Sequence, residues 1–221
     1  MRLTHEELKP HFEKMLSLLE NIRTTKQVRN KNRTVINSVY NLMVGRSTYT
    51  LNMKGFETPN DFRKNQGVYI KDIKDSSHSN SLKEAYAKAM EILKMFAPKY
   101  AGDSEGNYVV VQFMKMQVGS YVNAHTDKHD IDEQYMFSLG SGKCDTVIFD
   151  DEGNEKKRVQ INERILCMDR RIRHKLDSTN LTGTRYSVVY FKMSDPRYSK
   201  PAPIRKRSYF LSSPPKELQC E

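Results

Sequence analysis

The sequence predicts an α+β domain whose β half is a sandwich or barrel. Two helical stretches with capping signals come first, and about seven short apolar or alternating stretches separated by turn residues follow them. No internal repeat interrupts that order.

The first helix is expected from Thr4. Thr4 and Glu7 have capping-box spacing, and Leu8, Phe12, Met15, Leu19 and Ile22 recur at helical intervals. Its apolar face should pack on a sheet. Residues 33–53 are rich in Val, Ile, Tyr and Thr, and Gly45 is expected to divide them into two short strands. From Lys54 to Asn80 the chain carries Gly55, Pro59, Gly67 and a Ser/His/Asn cluster, which reads either as a loop covering a site or as an ordinary surface excursion. A second helix is expected near Ser81, with Glu84 completing another capping box. Leu82, Ala85, Ala89, Ile92 and Phe96 share one face, and Pro98 stops it.

After that the pattern changes to strands. Tyr108–Val118, Tyr135–Leu139, Asp145–Phe149, Arg158–Ile161, Arg164–Met168 and Tyr186–Met193 fit strands, with the Asp150-Asp-Glu-Gly-Asn turn joining the third and fourth. We therefore expect one domain over 1–195, with helical and strand support over 1–107 and a β core over 108–195. A basic, Pro-rich arm over 196–221 should follow it.

Composition narrows the function classes. The chain has 221 residues and is 37% hydrophobic, enough for a core without staples. Cys144, Cys167 and Cys220 are odd in number and widely spaced, so they read as free thiols in a reducing compartment. No apolar run approaches the roughly 18 residues that span a bilayer, and the start lacks a signal pattern. An intracellular, soluble protein of the nucleus or cytoplasm, with no membrane partner, is the expectation. The net charge of +10 favours a polyanionic partner. The basic residues also cluster: Lys26, Arg29, Lys31 and Arg33; then Arg170, Arg171, Arg173 and Lys175; then Arg197, Lys200, Arg205, Lys206 and Arg207. Such clusters suggest a nucleic-acid surface, DNA before RNA. The alternative for each is a solvated face, and the last run also fits a localisation signal.

The chemistry is concentrated in His125-Thr126-Asp127, then His174, then Arg185 at the start of the last long strand. Two histidines and one carboxylate can hold one face of an octahedral iron and leave three positions open. On a strand, residues two apart point the same way, so the His-x-Asp spacing places an imidazole beside a carboxylate. His174 follows His125 by 49 residues, room for two hairpins to bring it back. Arg185 sits among Tyr186, Val188, Val189, Tyr190 and Phe191, where a buried guanidinium needs an anion, and Ser187 lies on the same face of the strand.

In the order His-x-Asp, distal His, Arg-x-Ser, residues 108–193 resemble the 2-oxoglutarate and iron(II) oxygenases with a double-stranded β-helix (jelly-roll) core. Within that superfamily, the segments Val111–Lys128 and Leu166–Leu176 look most like the TET/JBP group of base hydroxylases, and Met136-Phe-Ser-Leu-Gly is similar to AlkB-like nucleic-acid demethylases. The Asn-x-Tyr pair of the AlkB-like proteins is missing, and Met114 and Met116 occupy its region. The resemblance implies catalytic metal ligands at His125, Asp127 and His174, and cosubstrate contacts from Arg185 and Ser187. It also implies Fe(II), 2-oxoglutarate and O2 as reactants, with ascorbate as a stimulant.

A base in a duplex must be flipped out to reach such a site. Candidate substrate contacts are His129, Asp130, Arg170, Arg171 and Arg173, each of which also fits a solvated turn. Three readings stay open at this point: hydroxylation of a methylated base of 5-methylcytosine or thymine type, or its AlkB-like demethylation; hydroxylation of prolyl or lysyl side chains; and a non-catalytic nucleic-acid-binding module.

Overall fold

A computed structural model of the chain describes residues 3–22, 35–36, 40–45, 68–70, 79–102, 107–127, 131–194 and 208–210. The capping box at Thr4 forms as expected: Glu7 N–H donates to Thr4 Oγ1 at 3.2 Å, and Thr4 N–H donates to the Glu7 carboxylate at 2.7 Å. Helix α1 then runs His5–Glu20. Strands β1 (Val35–Ile36) and β2 (Tyr40–Gly45) follow, so Gly45 ends the second strand rather than dividing the pair. The stretch expected to be loop, 54–80, contains a strand, β3 (Val68–Ile70), parallel to β2.

Helix α2 spans Asn80–Phe96 and is capped by Ser79, whose Oγ accepts from Leu82 N–H at 3.4 Å. The expected Ser81–Glu84 box does not form, because Ser81 already lies inside the helix. Ala97 and Pro98 end α2, and one further turn, α3 (Pro98–Ala101), follows.

Eight strands make the core: β4 (Asn107–Met116), β5 (Tyr121–His125), β6 (Ile131–Leu139), β7 (Asp145–Phe149), β8 (Glu155–Val159), β9 (Leu166–Asp169), β10 (His174–Asp177) and β11 (Arg185–Ser194). A last strand, β12 (Ser208–Phe210), pairs with β9, so part of the expected arm joins a sheet.

These strands form a five-stranded sheet ordered β1-β5-β10-β7-β8 and a seven-stranded sheet ordered β12-β9-β6-β11-β4-β2-β3. From β4 to β11 the chain passes between the two sheets at nearly every step, and every pairing within that run is antiparallel. That path is a jelly roll, the double-stranded β-helix. The protein is therefore α+β with a β-rich core, as the sequence predicts.

Period-two alternation decides what faces where. On β11, Tyr186, Val188 and Tyr190 join α1 and α2 in the main core, while Arg185, Ser187 and Val189 line a cavity between the sheets. On β4, Val111 and Phe113 face the helices, while Gln112 and Met114 face the cavity. Two buried hydroxyls tie the helices to the large sheet. Tyr190 donates to the Ala89 carbonyl at 2.7 Å, and Tyr40 donates to the Leu19 carbonyl at 2.9 Å. The large sheet is thereby backed by helices, and its other face is left for the site.

Candidate metal and carboxylate site

His125 ends β5 and His174 opens β10, and the two are directly opposite in the antiparallel pairing of those strands. Their rings lie 4.4 Å apart between centroids. Each Nδ1 lies beside a backbone carbonyl two residues earlier: His125 with Asn123 at 2.8 Å, and His174 with Ile172 at 3.0 Å. A carbonyl can only accept, so each Nδ1 carries a proton, and each ring when neutral presents its lone pair at Nε2.

Asp127 lies just past β5, and its backbone N–H donates to the Arg170 carbonyl at 3.0 Å. Its Oδ1 is 3.5 Å from His125 Nε2 and its Oδ2 is 3.7 Å from His174 Nε2. The three ligand atoms lie within 4.8 Å of one another. Neighbouring donors on one octahedral ion, at bond lengths of about 2.0–2.2 Å, sit about 3 Å apart. The set fits a divalent ion after a small inward adjustment.

Electrostatics keep Asp127 ionised. Burial alone would raise its pKa, but the hydrogen bond with His125, the charges of both histidines and the Gln134 amide hold it below the ordinary carboxylate value. Burial lowers His125 as well, yet the hydrogen bond and charge of Asp127 outweigh that and raise it above 6.5. Burial dominates at His174 and lowers it.

In the metal-free chain, the raised His125 contributes stability that is present below about 6.5 and fades as pH rises through its folded pKa. A metal must displace that proton, so Mn(II) affinity should move the opposite way and strengthen with rising pH, by up to about tenfold per unit. Calorimetric titrations across that range, in two buffers of different ionisation heat, would count the protons released.

Arg185 is the largest fully buried side chain among the described residues, at 1% exposure. Its Nη1 donates to Ser187 Oγ, while Nε and Nη2 have no hydrogen-bond partner among the described residues. Thr146 on β7, also fully buried, has a hydroxyl with no partner among the described residues. Arg185, Ser187 and Thr146 line the same cavity as His125, Asp127 and His174. Its remaining wall is largely apolar, with Met114, Met136, Leu176 and Val189 prominent. The free space, about 80 Å³, suits a small acid, since one water needs roughly 10–15 Å³. Two guanidinium donors without partners among the described residues and a hydroxyl, in a cavity with a largely apolar wall, have the chemistry to take a carboxylate.

Glycines set where Arg185 stands. At Gly142 an added Cβ would lie 2.8 Å from Thr184 C and 2.9 Å from Arg185 N, and Gly142 N–H donates to the Thr184 carbonyl at 2.8 Å. Gly142→Ala should therefore push on the backbone of Arg185 itself. The expected cost is about 1–3 kcal/mol, read as a lower Tm, together with weaker carboxylate affinity.

Reasoning from sequence missed Thr146, Gln134 and Gly142. Gln134, on β6, donates from Nε2 to Asp127 Oδ2 at 2.7 Å. The expected substrate contacts are placed differently. Arg171 is tied to Asp169, with Nε and Nη2 donating at 3.0 and 2.7 Å, so its side chain is committed within the fold. Arg173 and Lys175 flank Phe149, their charges 5.7 and 5.8 Å from its ring centre. None of Arg170, Arg171 and Arg173 lines the cavity. His129 and Asp130 lie outside the described residues, as do the clusters at 26–33 and 197–207.

No family model matches the sequence, and no curated protein matches it. Solved structures are similar in fold. An oxidoreductase of the 2OG-Fe(II) oxygenase family from Burkholderia pseudomallei matches at 13% identity over 82% of this chain and 77% of its own, with a TM-score of 0.43. A prolyl-4-hydroxylase from Pseudomonas putida matches at 14% identity over 54% and 68%, with a TM-score of 0.37. An oxalate decarboxylase matches at 14% identity over 43% of this chain, with a TM-score of 0.33, and the chain spans only 23% of that protein's length. None of the three is similar enough to assign a family or a reaction, so both rest on the side chains in the cavity.

Proposed function

We propose that the chain is an iron(II)- and 2-oxoglutarate-dependent dioxygenase that hydroxylates a methylated base in nucleic acid. The observation that carries the oxygenase reading is the buried Arg185 guanidinium, open on Nε and Nη2, in one cavity with a His-Asp-His ligand set. His125, Asp127 and His174 would hold the iron through two neutral nitrogens and one charged oxygen. With 2-oxoglutarate and O2, such a centre supplies the oxidising power, and the balance is a C–H bond converted to C–OH with release of succinate and carbon dioxide.

The chain's own residues have three tasks. Arg185, with Ser187 and Thr146 beside it, would take the 5-carboxylate of 2-oxoglutarate. Asn123 and Ile172 carbonyls hold the imidazole rings in the tautomer that leaves Nε2 for the metal. Met114, Met136, Leu176 and Val189 keep water from the reacting atoms.

The base as substrate rests on the +10 charge and the basic clusters. Exposed Arg173 and half-buried Lys175 over Phe149 are the described cations best suited to phosphate, since Arg171 is held by Asp169. If they contact phosphate, duplex affinity should fall with salt at a log–log slope of about −0.9 per contact, and Arg173→Glu with Lys175→Glu should lessen that slope by about two contacts. Fluorescence anisotropy at several salt concentrations reads this directly.

The deciding experiment supplies Fe(II), ascorbate, 2-oxoglutarate and methylated DNA or RNA, follows succinate by NMR and resolves the nucleosides by mass spectrometry. Succinate together with an oxidised base supports the proposal. Succinate without base oxidation, with oligonucleotide binding no tighter than millimolar, transfers the reading to a protein side chain. An absence of both 2-oxoglutarate binding and succinate overturns it.

A further inference from the structure

Asp127 stands outside any strand, yet its carboxylate is held in one orientation. One restraint is its own N–H on the Arg170 carbonyl, which fixes the backbone from the turn after β9. The other reaches the side chain from the opposite sheet: Gln134, 2% exposed on β6, donates from Nε2 to Oδ2 at 2.7 Å. An ionised carboxylate only accepts, so the amide must present its nitrogen there, and the direction of this bond is settled by chemistry.

Oδ1 faces only the His125 Nε2, at 3.5 Å, whose proton a metal would displace, and is the oxygen left to that metal. A carboxylate freed from Gln134 would rotate about its Cβ–Cγ bond, and both oxygens would then be available to one ion. Chelation through both would take a fourth position. A facial set of two histidines and one carboxylate oxygen leaves three, and a 2-oxo acid with O2 needs all of them.

We propose that Gln134 is a positioning residue that keeps Asp127 a one-oxygen ligand and so preserves the third open position. This rests on the metal reading above and goes beyond it, by giving a buried amide on the large sheet control over coordination on the small one.

The test uses the full chain with Mn(II) and Co(II) in place of iron, read without turnover. Gln134→Met keeps volume and loses the donor, whereas Gln134→His keeps an N–H donor at similar reach. In Gln134→Met, Mn(II) affinity by calorimetry should fall about 10- to 100-fold, and the visible bands of bound Co(II) should change on adding 2-oxoglutarate less than they do in wild type. Gln134→His should recover Mn(II) affinity to within about tenfold of wild type.

Wild-type affinity and a wild-type Co(II) response in Gln134→Met would overturn the proposal while leaving the metal site intact. Equal losses in both variants, with matching falls in Tm, would reduce Gln134 to a packing residue and overturn it too. Failure of the wild-type chain to bind either metal would remove the metal reading, and the proposal with it.

Discussion

Arg185→Met should do two opposite things, abolishing tight binding of 2-oxoglutarate while making the ligand-free protein more stable. The guanidinium is fully buried, burial depresses its pKa, and no carboxylate among the described residues answers it. An unpaired buried charge costs free energy that an apolar side chain of similar volume does not. A gain on the order of 1 kcal/mol is expected, or about 2–4 °C in Tm for a chain of this size. On the proposed reading, loss of the charge-assisted pair with the cosubstrate costs about 2–5 kcal/mol, so the 2-oxoglutarate requirement should rise at least about tenfold. An unchanged Michaelis constant for 2-oxoglutarate would place the anchor elsewhere. Arg185→Lys should not restore affinity, since a single ammonium replaces a planar fork.

The second large effect belongs to Asp127. Asp127→Ala removes the one anion of the candidate ligand set, and metal affinity should drop by more than the roughly 100-fold that loss of an outer partner alone can cost. Succinate production should disappear with it, while far-ultraviolet circular dichroism stays native. The same variant carries an internal check. His125 is raised by Asp127 against the opposing effect of burial, so its pKa should fall once the carboxylate is gone, as read by NMR titration of the ring. Retention of wild-type succinate production in Asp127→Ala would dismiss this ligand set.

Why these residues were legible in the sequence, and others were not, has a physical basis. Arg185 stands out because it is charged among apolar strand residues, where a side chain without a partner is costly, and His125, Asp127 and His174 stand out because a His-x-Asp pair followed by a distal histidine suits a metal. Thr146 does not stand out, because threonine is an ordinary strand former and only its orphaned hydroxyl in the folded protein marks it. Gln134 sits beside Glu133 and looks like the polar start of a strand. Gly142 looks like turn punctuation until the distance to Thr184 is known.

The strands show the same division. The long apolar β4 and β11 were plain, but β5, Tyr-Val-Asn-Ala-His, and β10, His-Lys-Leu-Asp, turn few apolar residues inward and carry no strong run. Pairing partners far along the chain create them. The same holds for β3 and β12, which exist because β2 and β9 offer free edges. Ser79 took the cap that the pattern assigned to Ser81, a shift of the kind that helix boundaries commonly show.

The division of the site between the two sheets has a mechanical consequence. Both histidines stand on β5 and β10 of the small sheet, whereas Arg185 and Ser187 stand on β11 of the large one, which α1 and α2 brace from behind. On the proposed reading, a dicarboxylate gripped by metal at one end and guanidinium at the other is a rivet driven through the sandwich. Neither sheet could slide on the other while it is in place, and the small sheet, with no helix against it among the described residues, would be the plate that loosens when succinate leaves.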